Sequence, residues 1–190
     1  MTDRAGPGTD AEGATTAEVP FDGDDLAGVV DLFGALAPAE LERALDELAF
    51  KRGDDLDADA VAAAVDAAVA SYALVRYDPG ADGAAGEGTT DGNRDADALL
   101  APGPAAFPTL PPNAEDLPHI LDVSTRDVDR EAAATALAER LRRDASRAVD
   151  EGDAARMRRL LDVTYDVAVW SDAVAVDDVR ERLDAALDEG

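Results

Sequence analysis

From Asp24 onward the apolar residues recur at helical spacing. In DDLAGVVDLFGAL, Leu26, Val29, Val30, Phe33 and Leu36 fall three and four apart, which predicts a first helix with Asp24 or Asp25 as its N-cap. PAELERALDELAFKRG continues the period through Leu41, Leu45 and Leu48. Pro38 suits its first helical position, Gly53 its stop, and Lys51 and Arg52 meet the negative end of the helix dipole. A third helix, DADAVAAAVDAAVASYALV, takes Asp57 as cap and sets Val61, Val65, Val69 and Tyr72 on one face. The period then changes. YALVRYD and ALLAPG are β-compatible, and the segment between them, at 78–98, holds five glycines and no large apolar residue, which predicts a mobile loop.

The second half returns to helix. DREAAATALAERLRRDASRAVDEG runs from a cap at Asp129 to a stop at Gly152, with Leu137, Leu141, Ala145 and Val149 as its buried stripe. DAARMRRLLDVTYDVAVW restarts at Asp153 and carries Met157 and Leu160. Residues 163–170 read two ways. Val163, Tyr165, Val167 and Val169 alternate like a strand, whereas Leu160, Leu161, Thr164, Tyr165 and Ala168 form a helical face. The continuous face favours helix. DDVRERLDAALDEG closes the chain through Val179, Leu183 and Leu187. The fold class expected is mainly α (α+β). It comprises a disordered acidic tail over 1–22, a unit of three helices and a short β-hairpin over 23–104, a proline-rich connector over 105–128 and a helical unit over 129–190.

Charge narrows the setting. There are 43 acids against 17 bases, a net charge of −26, and Lys51 is the only lysine. An excess of this size, spread along the chain, fits a cytoplasm of molar salt, where screening contracts to about 3 Å and carboxylates keep the surface hydrated. With no cysteine, disulfides and thiolate metal sites are excluded. No apolar run is long enough for a membrane span, and the N-terminal MTDRAGPGTDAEGATTAEVP lacks the apolar region of a secretory signal. The expected location is cytoplasmic.

Chemistry has few footholds. Six of the ten prolines lie between Pro102 and Pro118, just before the single histidine, His119. A metal there would want further His or Cys ligands, and only Glu115 and Asp116 are near. No nucleophile motif, P-loop, Rossmann glycine pattern or HExxH is present. An unrecognised enzymatic site near His119 stays open as the minor reading. The main reading has no catalytic residue, no metal and no cofactor. The prolines are then read as stiffness, a strap in which Phe107, Leu117 and Ile120 are buried between the two halves. Trp170 is read as a core anchor.

The basic signal lies in 129–159. Between Arg126 and Arg159 nine bases meet eight acids, a local charge of +1, whereas 1–125 carries 26 acids against 6 bases. Arg140, Arg143, Arg147 and Arg158 could form an interaction ridge for an acidic partner or RNA. Alternatively Glu139 with Arg143, Arg140 with Asp144, Arg147 with Glu151 and Arg158 with Asp162 pair along the helix surface. The third helix has no base at all, which argues against DNA reading in the usual manner.

The blocks LAGVVDLFGALAPAELERALDELAFKRG, FPTLPPNAEDLPHILDV and RRLLDVTYDVAVW resemble a family of small haloarchaeal proteins known only as a domain of unknown function. That resemblance implies the compartment and no activity. The order of elements in 23–104 is similar, more weakly, to a winged-helix domain. The function expected is that of a non-enzymatic interaction or regulatory protein whose partner is another protein, with no membrane and no nucleic acid. A DNA- or RNA-binding regulator using the arginine-rich helix 129–159 is the alternative, and the oligomeric state is left open.

Overall fold

A computed structural model describes residues 20–79 and 98–189. The chain is mainly helical with one small antiparallel sheet. Helices α1 (Gly23–Phe33), α2 (Pro38–Arg52) and α3 (Ala58–Ala70) lead into strand β1 (Leu74–Tyr77), which pairs with β2 (Leu99–Pro102). A 3-10 turn (Ala114–Asp116) and a single helical turn α4 (Leu117–Ile120) follow. The long helices α5 (Arg130–Glu151) and α6 (Ala154–Trp170) and the last helix α7 (Asp177–Asp188) complete the order. Residues 163–170 are helical. The expected tail and glycine-rich loop fall largely on residues 1–19 and 80–97, outside the described residues.

The expected stops and most caps are in place. Gly53 and Gly152 end α2 and α5 in the left-handed conformation, and Asp57, Asp129 and Asp153 cap α3, α5 and α6 through their side chains. The start of α1 differs from expectation. Asp22, not Asp24 or Asp25, is the cap: its Oδ1 accepts from the N–H groups of Asp24 and Asp25 at 3.0 Å. Asp25 reaches back to the Asp22 N–H at 3.3 Å, closing a capping box. The expected tail also ran too far. Phe21 is buried in the core, with the Arg52 guanidinium 4.8 Å from its ring centroid.

Two apolar cores meet at the hairpin. The first is built from α1, α2 and α3; the second from α5, α6 and α7. Strand side chains alternate between faces, so Leu74 and Leu100 enter the first core while Val75, Tyr77 and Ala101 enter the second. The register that pairs Val75 with Ala101 and Arg76 with Leu100 keeps each set together. Backbone bonds between Leu36 and Leu100, at 2.7 and 3.1 Å, extend the sheet toward the α1–α2 turn. Both faces of the two-stranded sheet are therefore covered. The apolar face of α6 is shifted from the expected one: Met157, Leu160, Val163, Thr164 and Val167 are buried, while Tyr165 and Ala168 are exposed. Leu160 and Thr164 are the positions that both faces share.

Candidate functional site

The connector does not pass between the two halves. Leu117 is buried as expected, but in the first core with Ala114; Phe107 is 80% exposed and Ile120 45%. The reason lies in the backbone. Phe107 donates its N–H to the Asp24 carboxylate at 2.9 Å, and Thr109 donates to the Asp24 carbonyl at 3.1 Å. Pro108 between them has no N–H, so it faces solvent without losing a hydrogen bond. Thr109 adds a side-chain bond to Asp25 at 3.3 Å. Its carbonyl lies so close to α1 that a Cβ on Gly28 would come within 1.8 Å of that oxygen. This part of the strap is stapled along the outside of α1 by its main chain, which leaves Phe107 and Leu110 outward.

A second staple holds its far end. Arg126 donates its N–H to the Phe33 carbonyl at 2.8 Å, and its own carbonyl packs on Gly34, whose φ of 77° and missing side chain both suit the turn. The Arg126 guanidinium makes a two-pronged bond to Glu40 at 2.6 and 2.7 Å and a third bond to the Ala35 carbonyl at 3.2 Å. The guanidinium holds the Glu40 carboxyl below its ordinary range, against a smaller opposing effect of burial. Asp24, Asp25, Gly28 and Gly34, which read as cap and helix residues in sequence, all serve the connector.

His119 is solvent-exposed at the end of α4, and Asp116 beside it lies 3.5 Å from the Lys51 ammonium. Among the described residues no group of three His, Asp or Glu converges on a common point.

The four ridge arginines have different fates. Arg140 is folded inward, 4.8 Å from the Tyr72 ring centroid and 3.4 Å from Asp144, and it donates to the Val69 carbonyl. Arg143 reaches Glu139 at 3.9 Å. Arg147 and Arg158 are exposed, and the expected pairs with Glu151 and Asp162 do not form. Glu151 lies 4.0 Å from Arg156 instead, and Arg158 turns back on the Ala154 carbonyl. Arg142, a residue the sequence did not single out, ties α5 to α7 through Asp178 at 3.0 Å and the Ala175 carbonyl at 2.9 Å. Its guanidinium holds the Asp178 carboxyl below its usual value. Trp170 is half-buried on the second core and donates to the Pro102 carbonyl at 3.2 Å, which fastens α6 to the hairpin.

A cluster missed in the sequence lies where α3 ends against the α5–α6 corner. Helix α3 closes with Ala73 N–H on the Ala68 carbonyl at 2.9 Å and Tyr72 N–H on the Val69 carbonyl at 3.1 Å. This closure puts Tyr72 at φ 64°, a conformation that glycine normally takes. Its hydroxyl donates to Asp144 at 2.7 Å. Burial first, then the Asp144 carboxylate, hold the phenol well above its ordinary value, so it remains a donor. Asp144 also accepts from Arg156 at 3.2 Å. Beside this network opens a cleft of about 590 Å³, walled by Ala67, Ala70, Leu160 and Val163 and rimmed by Asp153, Arg156 and Arg159. A tyrosine in a terminal helical turn carries no sequence signal of backbone strain, which is why the cluster was not foreseen.

No helix among the described residues is long and apolar enough to cross a membrane. Comparison with curated proteins and with solved structures finds no match for the chain. One family pattern does match, over residues 24–188, from the α1 capping turn to the end of α7. The chain belongs to the family of unknown function DUF7109.

Proposed function

We propose that this protein is a non-enzymatic interaction protein of a high-salt, haloarchaeal-type cytoplasm, and that it meets a partner protein through the outer edge of the strap, Phe107 to Leu110. The carrying observation is an aromatic side chain 80% exposed on a backbone that is fixed at its own N–H and at the N–H of Thr109. An anchor held in place loses little further entropy on binding, and buried aromatics dominate interface energies. Leu110, 51% exposed, extends the apolar edge, with Asp24 and Asp25 beside it. The partner surface that fits is an apolar pocket with a basic rim. Screening at molar salt contracts charge effects to about 3 Å and leaves the apolar anchors to carry recognition.

Affinity capture in molar KCl tests this, comparing the native chain with Phe107→Ser/Leu110→Ser. The native chain retains a partner that the double variant loses at an unchanged melting temperature. An identical set of captured proteins from both would overturn the reading. Thermal melts test the compartment. With a net charge of −26, the melting temperature should fall as KCl is lowered from molar levels. A flat response would remove the salt argument.

The alternative, a nucleic-acid-binding regulator working through 129–159, draws support from Arg147 and Arg158, which have no carboxylate within 4.0 Å among the described residues. Saturable binding of labelled RNA or DNA that weakens steeply with salt and is lost in Arg147→Ala/Arg158→Ala would favour it.

A further inference from the structure

We propose that the cleft between α3 and the α5–α6 corner binds a small amphipathic monocarboxylate, its head on Arg159 and its apolar body on Ala67, Ala70, Leu160 and Val163. Its volume of about 590 Å³ lies within the range of small-molecule sites, and its lining has their composition, an apolar floor with a few convergent polar groups.

The charge arrangement selects the head group. Both oxygens of Asp144 are occupied: Oδ2 faces Tyr72 and Arg140, and Oδ1 faces Arg156. Asp153 uses a side-chain oxygen on the Arg156 N–H at 2.9 Å, as the cap of α6. Arg159 is exposed at the rim, and no carboxylate lies within 4.0 Å of it among the described residues. In a chain with 43 acids, an unclaimed guanidinium beside an apolar floor is a selective place for one external carboxylate. Asp144 and Asp153 in the same lining repel a second negative charge, so a dianion fits less well.

The wall is also fixed before any ligand arrives. The positive φ of Tyr72, its bond to Asp144 and the Arg140 guanidinium over its ring lock one side of the cleft. Direct contact between guanidinium and carboxylate survives molar salt better than longer-range attraction, because at hydrogen-bond distance little screening ion intervenes. This site is separate from the strap and does not rest on the partner reading.

Methyl NMR in molar KCl, titrating hexanoate and, separately, hexanol, tests the proposal. Hexanoate should shift the methyl signals of Ala67, Ala70, Leu160 and Val163 saturably and bind about tenfold more tightly than hexanol, as one charge-assisted contact implies. Arg159→Ala, a change at an exposed position, should abolish that preference while leaving the hexanol response in place. Three results would each overturn the proposal: no saturable shift in these four residues, equal affinity for both probes, or a hexanoate preference that survives Arg159→Ala.

Discussion

The hairpin and the proline-rich strap both adjoin the first helical unit, yet they solve opposite problems. The hairpin has only four residues per strand, but its alternation feeds Leu74 and Leu100 to one core and Val75, Tyr77 and Ala101 to the other. It holds by side chains. The strap is longer and buries Ala114 and Leu117 in the first core, but Phe107, Leu110 and Ile120 are exposed, and its two ends are held by backbone bonds to Asp24 and Phe33 and by close approach to Gly28 and Gly34. Apolar content therefore does not say which segment is inside. What decides is whether the segment's N–H groups find partners within a sheet or on a neighbouring helix.

The sharpest way to break the contrast is to cut a hairpin side chain. Leu100→Ala removes a side chain that is fully buried where the sheet meets the first core, and it should cost about 2–5 kcal/mol in denaturant unfolding. A cost below that of strap substitutions would erase the distinction. Gly28→Ala tests the staple. The added methyl must displace the Thr109 carbonyl, so the loss should be about 3 kcal/mol, the upper part of the overpacking range. Hydrogen exchange at the Phe107 and Thr109 amides should quicken together with that loss.

The Arg126–Glu40 pair offers a pH handle on the far staple. Because the folded Glu40 carboxyl is held below its ordinary value, its contribution is present at pH above the unfolded carboxylate value. It is lost as pH falls through the folded value. Glu40→Gln should thus be less stable than the native chain at pH 7 by about 1.5 kcal/mol, the low end for a charged hydrogen bond that water partly reaches. The gap should close on acidification. A gap independent of pH would show that the pair contributes by packing alone.

The smallest effect belongs to the strap's own aromatic. Phe107→Ala should leave stability within about 0.5 kcal/mol of the native chain, as for an exposed side chain without contacts to lose. A loss near that of Leu100→Ala would mean that the ring is buried after all.

By itself the sequence determined the helices, their stops and the place of the hairpin. Local rules suffice there: Gly53 and Gly152 adopt left-handed caps, Asp57, Asp129 and Asp153 are followed by amphipathic runs, and β1 and β2 break the helical period. The phase of α6 was less legible, since two apolar faces share Leu160 and Thr164 and only packing against α5 and α7 chose between them. The tertiary structure alone decided the roles of Asp24, Asp25, Gly28 and Gly34, which hold a segment some eighty to ninety residues away in the chain. It also decided the outward turn of Phe107 and the joining of Tyr72, Asp144 and Arg156. The physical reason is common to all of these. A backbone bond or an ion pair between distant residues leaves no periodic mark in the sequence, whereas burial of a helix face repeats every three to four residues and is written there directly.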